Sequence, residues 1–175
     1  DGQKIMGPKG VGALYVRRTV ALSPLIMGGG QEKGRRSGTE NLPLTGAFAR
    51  ALSLAQKGWK ERAQKIQVVR DALIKKIEDL LPSARINGSR TVRIANNVNV
   101  SIEGMEGEER VLRLDAKGIS AAARSACSME EGGASYVIEA LGEGRSRALS
   151  SIRFTFLPDI KMSDARRIVE GLVAV

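Results

Sequence analysis

The chain has 175 residues, 42% hydrophobic and 27% charged, enough to bury a core and too apolar for wholesale disorder. Lys and Arg total 28 against 19 Asp and Glu, a formal charge of +9, and histidine is absent. This excludes Ser-His-Asp and Cys-His catalysis, His-ligated zinc and an imidazole proton relay supplied by this chain. The single cysteine, Cys127, excludes an internal disulfide and a multi-cysteine metal site, and a lone thiol agrees with a reducing cytoplasm.

No apolar stretch reaches the roughly 20 residues of a membrane span. The opening Asp1-Gly2-Gln3-Lys4 carries neither an initiator methionine nor a signal-peptide pattern, and reads as a segment whose start lies upstream. Basic residues are scattered in ones and twos among few aromatics (3 Phe, 2 Tyr and 1 Trp), which points to a solvated basic surface rather than a nucleic-acid interface.

In chain order, the turn Gly7-Pro8-Lys9-Gly10 precedes an apolar run over residues 11–16 that predicts a buried strand. The glycine-dense segment Gly28-Gly29-Gly30-Gln31-Glu32-Lys33-Gly34-Arg35-Arg36-Ser37-Gly38-Thr39 predicts a loop that approaches something closely. Leu44, Phe48, Leu52 and Ala55 predict a helix that stops near Gly58. A longer amphipathic helix is expected over residues 60–81, with Ile66, Val69, Leu73, Ile77 and Leu80 as its apolar stripe and Pro82 as its end. Val98, Val100 and Ile102 alternate with polar residues as a half-buried strand does. A helix over 106–117 capped by Gly118, a short strand over 119–121 and a short helix over 136–141 ended by Gly142 follow. Ile152, Phe154 and Phe156 predict a strand that directs Arg153 to its other face, and Ser163 with Asp164 caps a last helix carrying Ile168, Val169, Leu172 and Val173. Intermixed strands and helices give an α/β or α+β architecture.

With no histidine, the candidate nucleophiles are Cys127, a lysine and the hydroxyls. Lys4, just before a glycine-proline turn, could form a Schiff base; the alternative is a solvated charge, and Lys9 has nearly the same surroundings. Cys127 lies in the small, glycine-ended stretch Ala121-Ala122-Ala123-Arg124-Ser125-Ala126-Cys127-Ser128-Met129-Glu130-Glu131-Gly132-Gly133, which favours an exposed, reactive thiol over inert packing no more than evenly. Arg153 on a rigid strand suits bidentate recognition of a carboxylate, the alternative being a solvent-facing sheet position.

Together these segments resemble the C-terminal half of the cysteine desulfurases of the NifS and IscS type, within the class V aminotransferase family. The resemblance rests on five motifs in order. They are Gln3-Lys4-Ile5-Met6-Gly7-Pro8-Lys9-Gly10-Val11-Gly12-Ala13-Leu14-Tyr15-Val16, the glycine-rich loop through Glu40-Asn41, Asn96-Asn97-Val98-Asn99-Val100-Ser101, Ser125-Ala126-Cys127-Ser128 and Ser150-Ser151-Ile152-Arg153-Phe154. The resemblance implies a partial PLP-dependent transferase of fold type I: residues 1–44 ending the large cofactor-binding domain, 45–82 linking helices, and 83–175 the small C-terminal α/β domain. It further implies pyridoxal 5'-phosphate as cofactor and L-cysteine as substrate. Lys4 would hold the cofactor and move the substrate's α-proton, and Gln3 and Thr39 would contact the phosphate, Thr39 across a homodimer interface. Arg153 would take the substrate carboxylate, and Cys127 the sulfur, as a persulfide for an acceptor or iron-sulfur scaffold protein. No metal, nucleic acid or membrane partner is implied, and the location is the cytoplasm.

Three positions depart from that pattern. Gln3 stands where histidine is usual and can donate to a phosphate without adding charge; Asp1 replaces serine and would repel a phosphate dianion; Arg124 replaces glycine and stiffens the cysteine loop. With the upstream cofactor contacts outside this chain, it is expected not to turn over cysteine alone. A selenocysteine lyase or another class V relative shares the lysine and arginine segments, and Ser125-Ala126-Cys127 favours the desulfurase; a non-catalytic binding or dimerisation module is the remaining alternative.

Overall fold

Residues 1–124 and 133–175 are described by the structure, a computed structural model, in two units, Asp1–Trp59 and Lys60–Val175. The first opens with a 3-10 turn, Gly2–Ile5, in which the Asp1 carboxylate caps the Gln3 N–H at 3.2 Å and Met6 closes the end at φ 62. Helix α1 (Leu42–Gln56) starts at Asn41, whose side-chain oxygen accepts the Leu44 N–H at 3.1 Å, with a proline in its first turn. The turn rests on this helix through glycines. A Cβ on Gly2 would lie 2.7 Å from the Pro8 carbonyl and 3.2 Å from Phe48, and one on Gly7 2.9 Å from the Ala51 Cβ.

The strand expected over residues 11–16 does not form. Leu14 and Tyr15 are 76% and 86% exposed, and the run has no regular secondary structure. A strand is completed by a ladder of bonds to a neighbour. Here the run receives a bond from the Gly2 N–H to the Val11 carbonyl at 2.7 Å, and no sheet is built on it. The glycine-rich segment is a loop, turned at Glu32 and Lys33, both with positive φ. Ser37 staples it, its hydroxyl lying 2.9 Å from the Met27 carbonyl and 3.2 Å from that of Ile26.

The second unit holds the core. Helix α2 (Trp59–Leu80) lays Ile66, Val69, Leu73 and Ile77 into it, whereas Leu80, at the end of the expected stripe, is 58% exposed. Strands β1 (Ala84–Ile86), β2 (Asn97–Ile102) and β3 (Ser151–Thr155) form an antiparallel sheet in that order. Val98 pairs with Phe154 and Val100 with Ile152, so period-2 alternation puts all four, with Ile102, on one face. They join the α2 stripe and Ile168, Val169 and Leu172 of helix α6 (Met162–Val173) in one cluster.

Helix α3 (Gly107–Asp115) ends before Gly118 at φ 69, and helix α4 (Tyr136–Ala140) before Gly142 at φ 77. Helix α5 (Arg145–Leu149) leads into β3. The strand expected over 119–121 is reduced to one bridge. Ile119 turns into the core, and Ala122 alone pairs with Arg153, through bonds of 3.0 and 2.7 Å. The cap of α6 also differs from expectation. Asp164 stands at the third helical position and its carboxylate reaches back to the Lys161 N–H at 2.8 Å, so the helix begins at Met162.

Candidate active site

In the first unit Gln3 and Lys4 share the 3-10 turn, and both side chains are exposed. Lys4 is the turn's basic residue, on a backbone fixed by bonds from Lys4 N–H to the Asp1 carbonyl (3.2 Å) and Gly7 N–H to the Gly2 carbonyl (2.9 Å). Among the described residues its amine has no hydrogen-bond or ionic partner. Gln3 is engaged with Asp1: its backbone N–H reaches one carboxylate oxygen at 3.2 Å and its side-chain NH2 the other at 3.1 Å. Thr39 follows Gly38, at φ 103, and is exposed at the end of the stapled loop.

In the second unit Arg153 lies on the sheet face opposite the core, half-buried, directly across from Asn99 on β2 and bridged on its other side by Ala122. Among the described residues its guanidinium makes no hydrogen bond or ion pair. Backbone pairing on both flanks gives it the rigid support that bidentate carboxylate recognition needs. Cys127 lies outside the described residues. Arg124, two residues past Ala122, pairs with Glu108 of α3 and donates to the Gly133 carbonyl at 3.3 Å.

A polar network on this face was not foreseen from sequence. The Asn87 side-chain NH2 donates to the Asn99 side-chain oxygen at 2.6 Å and to the Ser101 hydroxyl at 2.8 Å. Arg147 of α5 donates to the Asn87 side-chain oxygen at 2.7 Å and the Ile86 carbonyl at 3.2 Å, and pairs with Glu143. Ser101 returns a bond to the Arg147 carbonyl at 2.7 Å. The signal for it was the polar alternation Asn97, Asn99, Ser101, which sequence alone assigns to solvent; α5 covers it instead. Two arginines have their pKa held below the ordinary value: Arg110 by burial, and Arg93 by burial and then by Arg70 and Arg90. Arg110 is buried, with bonds to the Ile102 and Met105 carbonyls at 2.9 and 3.3 Å.

The first unit presents a group suited to the aldehyde end of a pyridoxal phosphate and fewer open donors for its phosphate. An exposed amine on a fixed turn suits the aldehyde. At the phosphate end this turn keeps the second hydrogen of the Gln3 side-chain NH2, the other and the Gln3 N–H going to the Asp1 carboxylate, while the Gly2, Lys4, Met6 and Gly7 N–H groups bond the carbonyls of Val11, Asp1, Gln3 and Gly2. Among the described residues no helix is long and apolar enough to cross a membrane.

Residues 1–167 match the aminotransferase class-V family. The chain is 42% identical to "Cysteine desulfurase IscS 1" of Archaeoglobus fulgidus over 98% of its length, and 39% identical to "Cysteine desulfurase IscS" of Methanosarcina thermophila over 97%. It spans 44% and 42% of those relatives, less than half of each. A solved NifS-like protein superposes on 99% of the chain with a TM-score of 0.85 at 29% identity, the match covering 44% of that protein. A NifS-like protein from Rickettsia africae covers 87% of the chain, and 39% of its own length, with a TM-score of 0.75 at 27% identity. The α/β fold is thus that of part of a NifS-like, fold type I enzyme.

Proposed function

The chain belongs to the aminotransferase class-V family, and we propose that it is part of a cysteine desulfurase, which converts L-cysteine to L-alanine and keeps the sulfur as a persulfide on Cys127. The observation that carries this reading is 42% identity to a cysteine desulfurase running through 98% of the chain. In the net change the substrate's Cβ–S bond breaks, an S–S bond forms on Cys127, and a hydrogen takes sulfur's place on Cβ.

Lys4 is the amine that holds the cofactor aldehyde and carries the proton at the substrate α-carbon. Arg153, uncommitted among the described residues and braced on both sides, takes the substrate carboxylate. Pyridoxal phosphate supplies the electron sink for this chemistry. The persulfide then passes to a sulfur-acceptor or iron-sulfur scaffold protein. The enzyme works as a cytoplasmic homodimer with Thr39 at the subunit boundary.

The test uses the complete protein, assayed for alanine release and for persulfide on its peptides. Cys127→Ser is expected to lower alanine release from L-cysteine at least 100-fold while leaving cofactor absorbance unchanged, and the 175-residue chain alone to release none. Unchanged release in Cys127→Ser, or release from L-selenocysteine only, would overturn the assignment in favour of a selenocysteine lyase. A complete protein without cofactor absorbance would indicate a binding module.

A further inference from the structure

Asn87, Asn99 and Arg153 stand in a row across the sheet, on the face turned away from the core. The Asn87 N–H bonds the Asn99 carbonyl at 2.9 Å, and Asn99 pairs with Arg153. Residues directly opposite in an antiparallel sheet project to the same side, with Cβ atoms about 5 Å apart. The orientation of each amide in this row is forced from one end. Arg147 has only donors, so the 2.7 Å bond from its Nε turns the Asn87 oxygen toward it and the Asn87 NH2 toward Asn99 and Ser101. Asn99 meets that NH2 with its oxygen, at 2.6 Å. Its own NH2 is therefore directed away from Asn87, to the side of the strand that carries Arg153. Among the described residues that NH2 donates to nothing, and neither does the Arg153 guanidinium.

We propose that Asn99 is a second donor to the substrate carboxylate taken by Arg153, and that Asn87 and Arg147 are positioning residues that aim its amide. The inference rests on the assignment of Arg153 as the carboxylate-binding residue. Two half-buried side chains lie side by side with open donors and no acceptor among the described residues, an arrangement that suits a ligand which only accepts. A carboxylate has about four lone-pair sites. One edge of the guanidinium occupies one site on each oxygen and leaves a further site on the oxygen nearer Asn99. A hydrogen bond to a charged group contributes about tenfold or more to binding. An amide already held in one orientation by its neighbours makes that bond without first having to be ordered.

The experiment uses the complete protein and measures kcat and KM for L-cysteine, with the Kd of β-mercaptopropionate by calorimetry as a readout independent of turnover. Asn99→Asp keeps an oxygen for the Asn87 NH2 and replaces the open donor by a charge that competes for Arg153. Asn87→Asp keeps an acceptor for Arg147 but has no donor, so Asn99 must turn its NH2 toward position 87 and its oxygen toward Arg153. The expected result is a rise in KM and Kd of about tenfold in Asn99→Ala and Asn87→Asp and about 100-fold in Asn99→Asp, with kcat within about threefold of the parent. The double variant Asn87→Asp with Asn99→Ala is expected to match Asn99→Ala alone, because Asn87 acts through Asn99. Arg153→Lys, measured in parallel, is expected to raise KM by about tenfold or more, since an ammonium cannot replace the fork. If it does so while Asn99→Asp leaves KM and Kd within about twofold of the parent, the role of Asn99 is overturned and the Arg153 assignment stands. A loss from Asn87→Asp that persists undiminished in the Asn99→Ala background overturns the aiming role in the same way. An unchanged KM in Arg153→Lys overturns the Arg153 assignment and this inference with it.

Discussion

Asn87 receives hydrogen bonds from two arginines, Arg147 at its side-chain oxygen and Arg93 at its backbone carbonyl, and the two guanidiniums are differently satisfied. Arg147 also reaches the Ile86 carbonyl and Glu143, so truncating it strands buried acceptors and an acid. Arg93 has its Nε and one terminal nitrogen buried without a partner, and burial followed by repulsion from Arg70 and Arg90 holds its pKa down. A lowered base pKa means that folding disfavours the charged form. At neutral pH the group stays charged in both states, so the cost is present throughout the physiological range. Arg147→Met is therefore expected to lose about 2–4 kcal/mol in urea unfolding, and Arg93→Met to change stability by no more than about 1 kcal/mol in either direction. Equal losses for the two would contradict this account.

Among the elements, α3 approaches β3 through Gly107. A Cβ there would lie 2.3 Å from the Ser151 carbonyl and 3.2 Å from that of Leu149, both backbone atoms that cannot rotate away. Gly107→Ala should lower stability by roughly 2–4 kcal/mol despite alanine's better helix propensity, because overpacking against backbone outweighs it. A calorimetric midpoint at or above the parent's would refute that. This contact, like β1, was not legible in the sequence. Ala84-Arg85-Ile86 is too short for periodicity and exists as a strand because Ile86 and Ala84 pair with Val100 and Ile102. By contrast the stripe of α2 and the alternation of β2 and β3 could be read directly, since each repeats often enough to fix a face. The run at 11–16 has a strand's composition without a ladder to join, and residues 119–121 yield to the stronger demand of Ile119 for the core. At the candidate site, motif order pointed to Lys4 and Arg153 as residues; the double flank of Arg153 and the closure of Gln3 by Asp1 are pairings that only three dimensions contain.

Over the whole molecule, apolar burial is one-sided. Among the described residues every buried hydrophobic side chain lies between Ile66 and Leu172, while residues 1–59 leave Leu25 99% and Met27 80% exposed. The segment Lys60–Val175 is therefore expected to fold alone, with a cooperative thermal transition within about 5 °C of the entire chain's. Residues 1–59 alone should show no cooperative transition by calorimetry and poorly dispersed amide resonances. A sharp transition in the shorter piece would contradict this distribution of the core. The bridge between Ala122 and Arg153 has a further consequence, of reach. Five peptide units separate Ala122 from Cys127, and chain geometry lets them extend at most about 18 Å. Because Ala122 is moored to β3 by two bonds, that covalent limit, a leash measured from the strand that carries Arg153, would bound the proposed passage of sulfur to Cys127. Each residue inserted into that stretch would lengthen the leash by roughly 3.5 Å.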